Sequence, residues 1–191
     1  MTRIIGGLAG SLKLTSPAKA TRPTSDRIRE SIFNRLDSRD SINDARVLDL
    51  YAGTGALALE AISRGATTAV LVDKDGKAAA VCKQNGQIVE KAMLKSDVEV
   101  GIRVQHQAVG AYLTALSDEF DLVFIDPPYE VTNAEVEANL EALLPSLNKD
   151  ATVIVERSSR GEKLDVPAGY ELDELKSYGD TDVYWLAVAS R

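Results

Sequence analysis

The residues best suited to chemistry are Asp126-Pro127-Pro128-Tyr129, which follow the apolar run Phe120-Asp121-Leu122-Val123-Phe124-Ile125. Two successive prolines fix two φ angles, remove two N–H donors and leave the carbonyls of Asp126 and Pro127 without a local partner. The loop is therefore rich in acceptors. A carboxylate and a fixed carbonyl can together accept both hydrogens of an exocyclic amine, and Tyr129 offers a flat face for stacking. A planar amine such as a nucleobase suits these groups. The plainer alternative is that Pro127-Pro128 merely ends a strand while Tyr129 packs on the core.

A second group lies upstream. Val47-Leu48-Asp49-Leu50-Tyr51 leads into Ala52-Gly53-Thr54-Gly55-Ala56 and then a helical pattern through Leu57, Leu59, Ala61 and Ile62. Glycines let a backbone turn tightly and approach a ligand, and Gly53 to Ala58 satisfies the loose dinucleotide fingerprint with Ala in its last place. Alone, that match is weak. The next apolar run, Ala69-Val70-Leu71-Val72, ends in Asp73, 20 residues after Gly53. At this spacing a carboxylate can grip the two hydroxyls of a ribose, so an adenosine-containing cofactor is expected. The single cysteine, Cys82, and single histidine, His106, form no zinc pattern, and no metal site is expected. Cys82 falls in an Ala-rich helical stretch as inert packing, and His106 reads as polar surface at a strand end.

The elements that must position these groups alternate. Strands are predicted at 47–51, 69–73, 98–104 (broken by Gly101), 120–125 and 151–156, separated by helices at 57–62, 76–92, 108–116 and 134–144. Unbroken apolar runs such as 122–125 belong to strands covered on both faces, as in a parallel sheet, whose ligands sit beyond the carboxyl ends. Two late strands, 170–176 and 183–188, with Tyr178-Gly179-Asp180 between them and no intervening helix, form a hairpin at the sheet edge. At the other end, Arg3-Ile4-Ile5 and Leu12-Lys13-Leu14 flank a Gly-rich turn and predict a β-hairpin, which must pack on something larger. Residues 1–20 are thus expected as a hairpin extension with a linker, and 21–191 as the main α/β domain. Pro23 to Asp26 offers capping residues for a helix through Ile28, Ile32, Phe33 and Leu36.

With 191 residues, 45% hydrophobic and 27% charged, the chain has no apolar run near the ~18 residues of a membrane span. The N-terminus also lacks the apolar core of a secretory signal, which points to the cytoplasm. The net charge of −7 argues against a phosphate-binding body, yet residues 1–40 hold eight Lys or Arg against four acids. Arg3, Lys13, Arg22, Arg27 and Arg29 belong to this basic head. The last three cluster at a helix start, where positive charge opposes the helix dipole and a bound anion would relieve the conflict. These five are the expected nucleic-acid contacts.

In this order, a Gly-x-Gly turn, a ribose acid and Asp-Pro-Pro-Tyr resemble the S-adenosylmethionine-dependent methyltransferases that modify exocyclic amines of nucleobases. The resemblance extends to Arg3-Ile4-Ile5-Gly6-Gly7, to Arg22-Pro23-Thr24-x-Asp26-Arg27-Ile28-Arg29-Glu30-x-Ile32-Phe33-Asn34 and to Tyr178-Gly179-Asp180-Thr181, which are similar to signatures of the RsmD family. It implies a Rossmann-like class I methyltransferase fold with a reversed last strand and transfer of methyl to guanine N2 in 16S rRNA. Asp49, Tyr51, Gly53 and Gly55 would line the methionine part of S-adenosylmethionine and Asp73 its ribose. Asp126, Pro127, Pro128 and Tyr129 would hold the target amine. Many related enzymes bind the adenine amine with an acid after the third strand; Gln107 stands there instead. The implied substrate is 16S rRNA, within a 30S particle or assembly intermediate, acted on by a monomer. Adenine-N6 methylation is the main alternative, followed by an NAD-dependent oxidoreductase and a non-catalytic RNA-binding module.

Overall fold

The structure, a computed structural model, describes residues 2–16 and 26–190. In chain order the elements are α1 (Asp26–Ser38), β1 (Arg46–Leu50), α2 (Ala56–Ser63), β2 (Thr68–Asp73), α3 (Gly76–Leu94), β3 (Gly101–His106) and α4 (Val109–Thr114). They continue with β4 (Phe120–Ile125), α5 (Asn133–Leu143), a 3-10 turn (Leu144–Ser146), β5 (Leu147–Ser158), β6 (Tyr170–Tyr178) and β7 (Thr181–Val188). The seven strands form one sheet in the order β3-β2-β1-β4-β5-β7-β6. The first five are parallel, and β7 inserts antiparallel between β5 and β6. This is the class I methyltransferase arrangement, with the late hairpin closing one edge. None of the described helices is long and apolar enough to cross a membrane.

The pleat decides which residues meet. Val47, Leu71, Leu122 and Phe124 face one apolar cluster with α1, α2 and α3, whereas Leu48, Leu50, Val72, Val123 and Ile125 face the other with α4 and α5. Asp49 therefore points toward α2, between Leu71 and Phe124 on the neighbouring strands. Asp73 and Asp126 lie two residues beyond those partners, and side chains two apart share a face. Three carboxylates from three adjacent strands thus converge at the carboxyl end of the sheet.

Several predicted boundaries shift. Gly101 begins β3 rather than interrupting it, because its pairing with Thr68 starts the parallel register. Strand β5 starts earlier than 151, Leu147 pairing with Phe120 across an irregularity before Leu122. The N-terminal segment runs antiparallel about a single bridge, Arg3 to Lys13. Its backbone turns away from a longer ladder because the N–H groups of Ile5 and Gly6 donate to the Glu60 carboxylate of α2, at 2.6 and 2.8 Å. Ser63 accepts from Ala9 N–H at 2.9 Å, and Gly7, at φ +75, lies so close to the Ser63 carbonyl that any side chain would collide with it. Ile4, Ala9 and Leu14 are buried in the cluster that holds α1 to α3, so the described part of the extension shares that core.

Candidate active site

The three carboxylates sit in different environments. Asp49 is buried, its Oδ2 accepting the Ala58 N–H of α2 at 3.1 Å. Burial drives its pKa well above the ordinary aspartate value, the Ala58 hydrogen bond opposes this, and the charges of Asp126 and Asp73 add to the rise. Those two charges can act on Asp49 only because all three groups are close. Asp73 uses one oxygen to accept Gly53 N–H at 2.9 Å and the other to accept Asp75 N–H at 2.8 Å. The proposed ribose acid thereby also sets the Gly-rich turn.

That turn needs its glycines for two reasons. Gly53 and Gly55 have φ of +59 and +76, which side chains rarely adopt. At Gly55 a Cβ would also strike Leu71 at 2.5 Å, whereas at Gly53 the nearest further atom, the Tyr51 carbonyl, is 4.0 Å away. The turn is packed beneath and open above Gly53, as a ligand-facing backbone requires. With Asp73 alongside, this donor and acceptor set fits an adenosine cofactor. Tyr51 itself has φ +64, a strained value for an aromatic residue. Its hydroxyl accepts from Asn139 Nδ2 at 2.8 Å and donates to Glu135 at 3.3 Å, both on α5. Burial and Glu135 push its pKa up to about 12. Tyr51 thus contributes backbone to the turn, while its ring ties the turn to the helix behind the Asp126 loop. Gln107 is half-buried just past β3 and donates its N–H to the Asp73 carbonyl at 3.1 Å, so it flanks Asp73. His106 is exposed, with Nε2 3.2 Å from the Lys74 carbonyl.

In the Asp126 loop, Pro127 is buried, Pro128 half-buried and Tyr129 68% exposed. The exposed ring rules out the reading in which Tyr129 packs on the core. The loop closes with Val131 N–H donating to the Pro128 carbonyl at 3.0 Å. Arg157 of β5 then clamps it, donating to the Val131 carbonyl at 2.8 Å and to Asn133 Oδ1 at 2.9 Å. This support was missed by the sequence reading, as were two groups of α3. Cys82 donates its thiol to the Gly53 carbonyl at 3.2 Å, and Asn85 donates to the Thr54 carbonyl at 2.9 Å. Burial, with Asp49 and Asp73 nearby, raises the Cys82 pKa far above an ordinary thiol's, so it stays protonated and supports the turn.

The five cationic residues do not form one group. Arg3, Lys13 and Arg27 are exposed, the first two meeting across the bridge, and Arg22 lies outside the described residues. Arg29 requires a correction. It is only 2% exposed, donating to the Arg3 carbonyl at 2.6 Å and to Asp26 at 3.0 Å, so its guanidinium fastens α1 to the N-terminal segment and does not reach a solvent-borne phosphate.

Comparison with known proteins agrees with this geometry. The family described as Conserved hypothetical protein 95 matches residues 2–187. The chain is 36% identical over 178 residues to Ribosomal RNA small subunit methyltransferase D of Escherichia coli K12, covering 93% of this chain and 85% of that protein. It is 31% identical to the protein of the same name from Haemophilus influenzae, with 93% and 89% covered. A solved structure of a hypothetical protein from Thermus thermophilus superposes with a TM-score of 0.80 at 30% identity, covering 98% and 100% of the two chains. With a family match over nearly its whole length and relatives of this similarity, the chain belongs to the RsmD family, described as Conserved hypothetical protein 95.

Proposed function

We propose that this protein transfers a methyl group from S-adenosylmethionine to the exocyclic N2 amine of a guanine in 16S rRNA. The observation that carries the reading is the convergence of Asp49, Asp73 and Asp126 at the carboxyl ends of adjacent strands, beside an open Gly-rich turn and an exposed Tyr129. The names of the E. coli and H. influenzae relatives support ribosomal RNA of the small subunit as substrate.

Bound there, S-adenosylmethionine would supply an electrophilic methyl on a sulfonium. Asp73 would hold the ribose hydroxyls, the Gly53 and Gly55 backbone the methionine part with Asp49 and Tyr51, and Gln107 the adenine amine. Three clustered carboxylates make the local potential negative, which favours a cationic ligand in a partly desolvated site. On the substrate side, guanine N2 is a weak nucleophile because its lone pair is delocalised into the ring. Asp126 and the Pro127 carbonyl, accepting its two hydrogens, would favour the pyramidal amine in which that lone pair is localised. Such hydrogen bonds strengthen as positive charge develops on nitrogen and therefore act mainly in the transition state. Tyr129 would stack on the base, and Pro127 and Pro128, with Arg157 behind them, would keep the acceptors in place without reorganisation.

Arg3, Lys13, Arg22 and Arg27 would contact RNA phosphates at the rim. The reading includes a monomer working in the cytoplasm on a 30S particle or assembly intermediate. Methyl transfer from labelled S-adenosylmethionine to 30S particles, naked 16S RNA and DNA, assayed in parallel, tests it. Label in ribosomal RNA is expected; label in DNA alone, or in none of the three, would refute it.

A further inference from the structure

Helix α3 buries a stripe of Ala79, Cys82, Asn85, Gly86, Val89 and Met93. Asn85 is the only amide in it and is fully buried. A buried amide destabilises the fold unless its hydrogen bonds are made. Here the partners belong to two distant segments. Oδ1 accepts Thr15 N–H at 2.8 Å, while Nδ2 donates to the Thr15 carbonyl at 3.0 Å and to the Thr54 carbonyl at 2.9 Å. The amide orientation is unambiguous, because an N–H must meet the oxygen and both carbonyls must meet the nitrogen.

Thr54 lies between Gly53 and Gly55, both at positive φ, in the turn that faces the cofactor site. Thr15 lies two residues beyond Lys13, which bridges to Arg3. A carboxamide is planar, so the two bonds that lock it to Thr15 fix the direction of the third toward Thr54. Moving Thr15 must either rotate the amide away from the turn or drag the turn with it.

We propose that Asn85 is a positioning residue that couples the two ligand sites, so that RNA held on the N-terminal segment and cofactor held on the Gly-rich turn each tighten the binding of the other. The inference rests on the reading of Arg3 and Lys13 as RNA contacts. Its physical basis is that the Asn85 amide links the positions of the two segments, so a ligand that holds either one in its bound arrangement favours binding of the other, and such coupling is reciprocal.

The test measures the affinity of full-length protein for 16S RNA with and without saturating S-adenosylhomocysteine, which binds without reacting. In the native protein the ratio of the two affinities is expected to be about five-fold or more. Asn85→Asp keeps the shape and the acceptor for Thr15 but loses both donors, and the ratio is expected to fall toward one. Should that variant not fold, Thr15→Pro removes the N–H that Asn85 accepts without altering α3, and the same loss of ratio is expected. A purely structural Asn85 would lower the Tm and leave the ratio intact. A ratio of one in the native protein, or a native ratio in a folded variant, overturns the proposal. The supporting RNA reading is tested separately with Arg3→Glu and Lys13→Glu. If these leave RNA affinity and its salt dependence unchanged, that reading fails; if they weaken binding while the Asn85 variant keeps its ratio, only the coupling fails.

Discussion

Replacing Glu60 should release the N-terminal segment from the body of the protein. The Glu60 carboxylate is fully buried on α2 and accepts three hydrogen bonds, from Ile5 N–H at 2.6 Å, Gly6 N–H at 2.8 Å and Arg64 Nε at 2.8 Å. Hydrogen bonds to a charged group contribute about 1.5–3 kcal/mol each, though not additively. In Glu60→Ala the Arg64 guanidinium, whose side chain is 12% exposed, keeps Asp37 as its one ionic partner among the described residues, and two backbone donors lose theirs. Breaking a buried pair in this way costs about 3–5 kcal/mol. In a chain of this length each kcal/mol lowers Tm by about 2–4 °C, so a fall on the order of 6–20 °C is expected. Glu60→Gln retains one acceptor oxygen and nearly the same volume, and its loss should be about 1.5–3 kcal/mol. Differential scanning calorimetry gives the global value, and limited proteolysis within residues 2–16 reports release of the segment itself. If Glu60→Ala melted within about 2 °C of the native protein and its N-terminal segment were cut no faster, the anchoring role would be wrong.

Three further outcomes are expected. Asp73→Ala should weaken S-adenosylmethionine binding by about 1.5–3 kcal/mol, measured calorimetrically, and unchanged affinity in a folded variant would remove Asp73 from the cofactor site. Asp49 has a folded pKa raised by burial, so its favourable contribution to stability is fully present below its unfolded pKa and is lost as pH rises through the folded value. Asp49→Asn should therefore raise the Tm of the ligand-free protein, by an amount that grows between acidic and neutral pH, while weakening cofactor binding; a variant less stable than native at neutral pH would contradict this. Arg3→Ala and Lys13→Ala, at exposed positions, should spare the Tm and flatten the slope of log RNA affinity against log salt by about 0.7–0.9 for each phosphate no longer neutralised, a slope that titrations at several salt concentrations would measure.

Much of the fold was legible because β1, β2 and β4 are apolar runs too short for helices and end in turn residues. The convergence of acids was legible in part. Asp73 and Asp126 close their runs visibly, but the placement of Asp49 between them depends on parallel register, which a sequence does not state. Arg29 was misread because an arginine among Ile28, Ile32 and Phe33 looks like the polar side of an amphipathic helix; among the described residues it is the Arg3 carbonyl, brought from outside the helix, that accompanies its burial. Glu60 and Asn85 were missed for a related reason, since the sequence-distant partners of both are backbone groups, which leave no mark in residue types. A usable signal did exist. Glu60 is the one charge in the Leu57 to Ile62 run, and Asn85 falls on the buried stripe of α3, so each polar group had to find a partner.

Guanine as the methylated base and Asp126 as the group that holds it are separated from their alternatives by methylating 16S rRNA in 30S particles with native and Asp126→Ala protein, digesting the RNA and identifying the methylated nucleoside by mass spectrometry. The native protein is expected to produce N2-methylguanosine, and Asp126→Ala to lose about 10²-fold or more in rate with little change in cofactor affinity. N6-methyladenosine as the product, or near-native turnover by Asp126→Ala, would contradict the assignment.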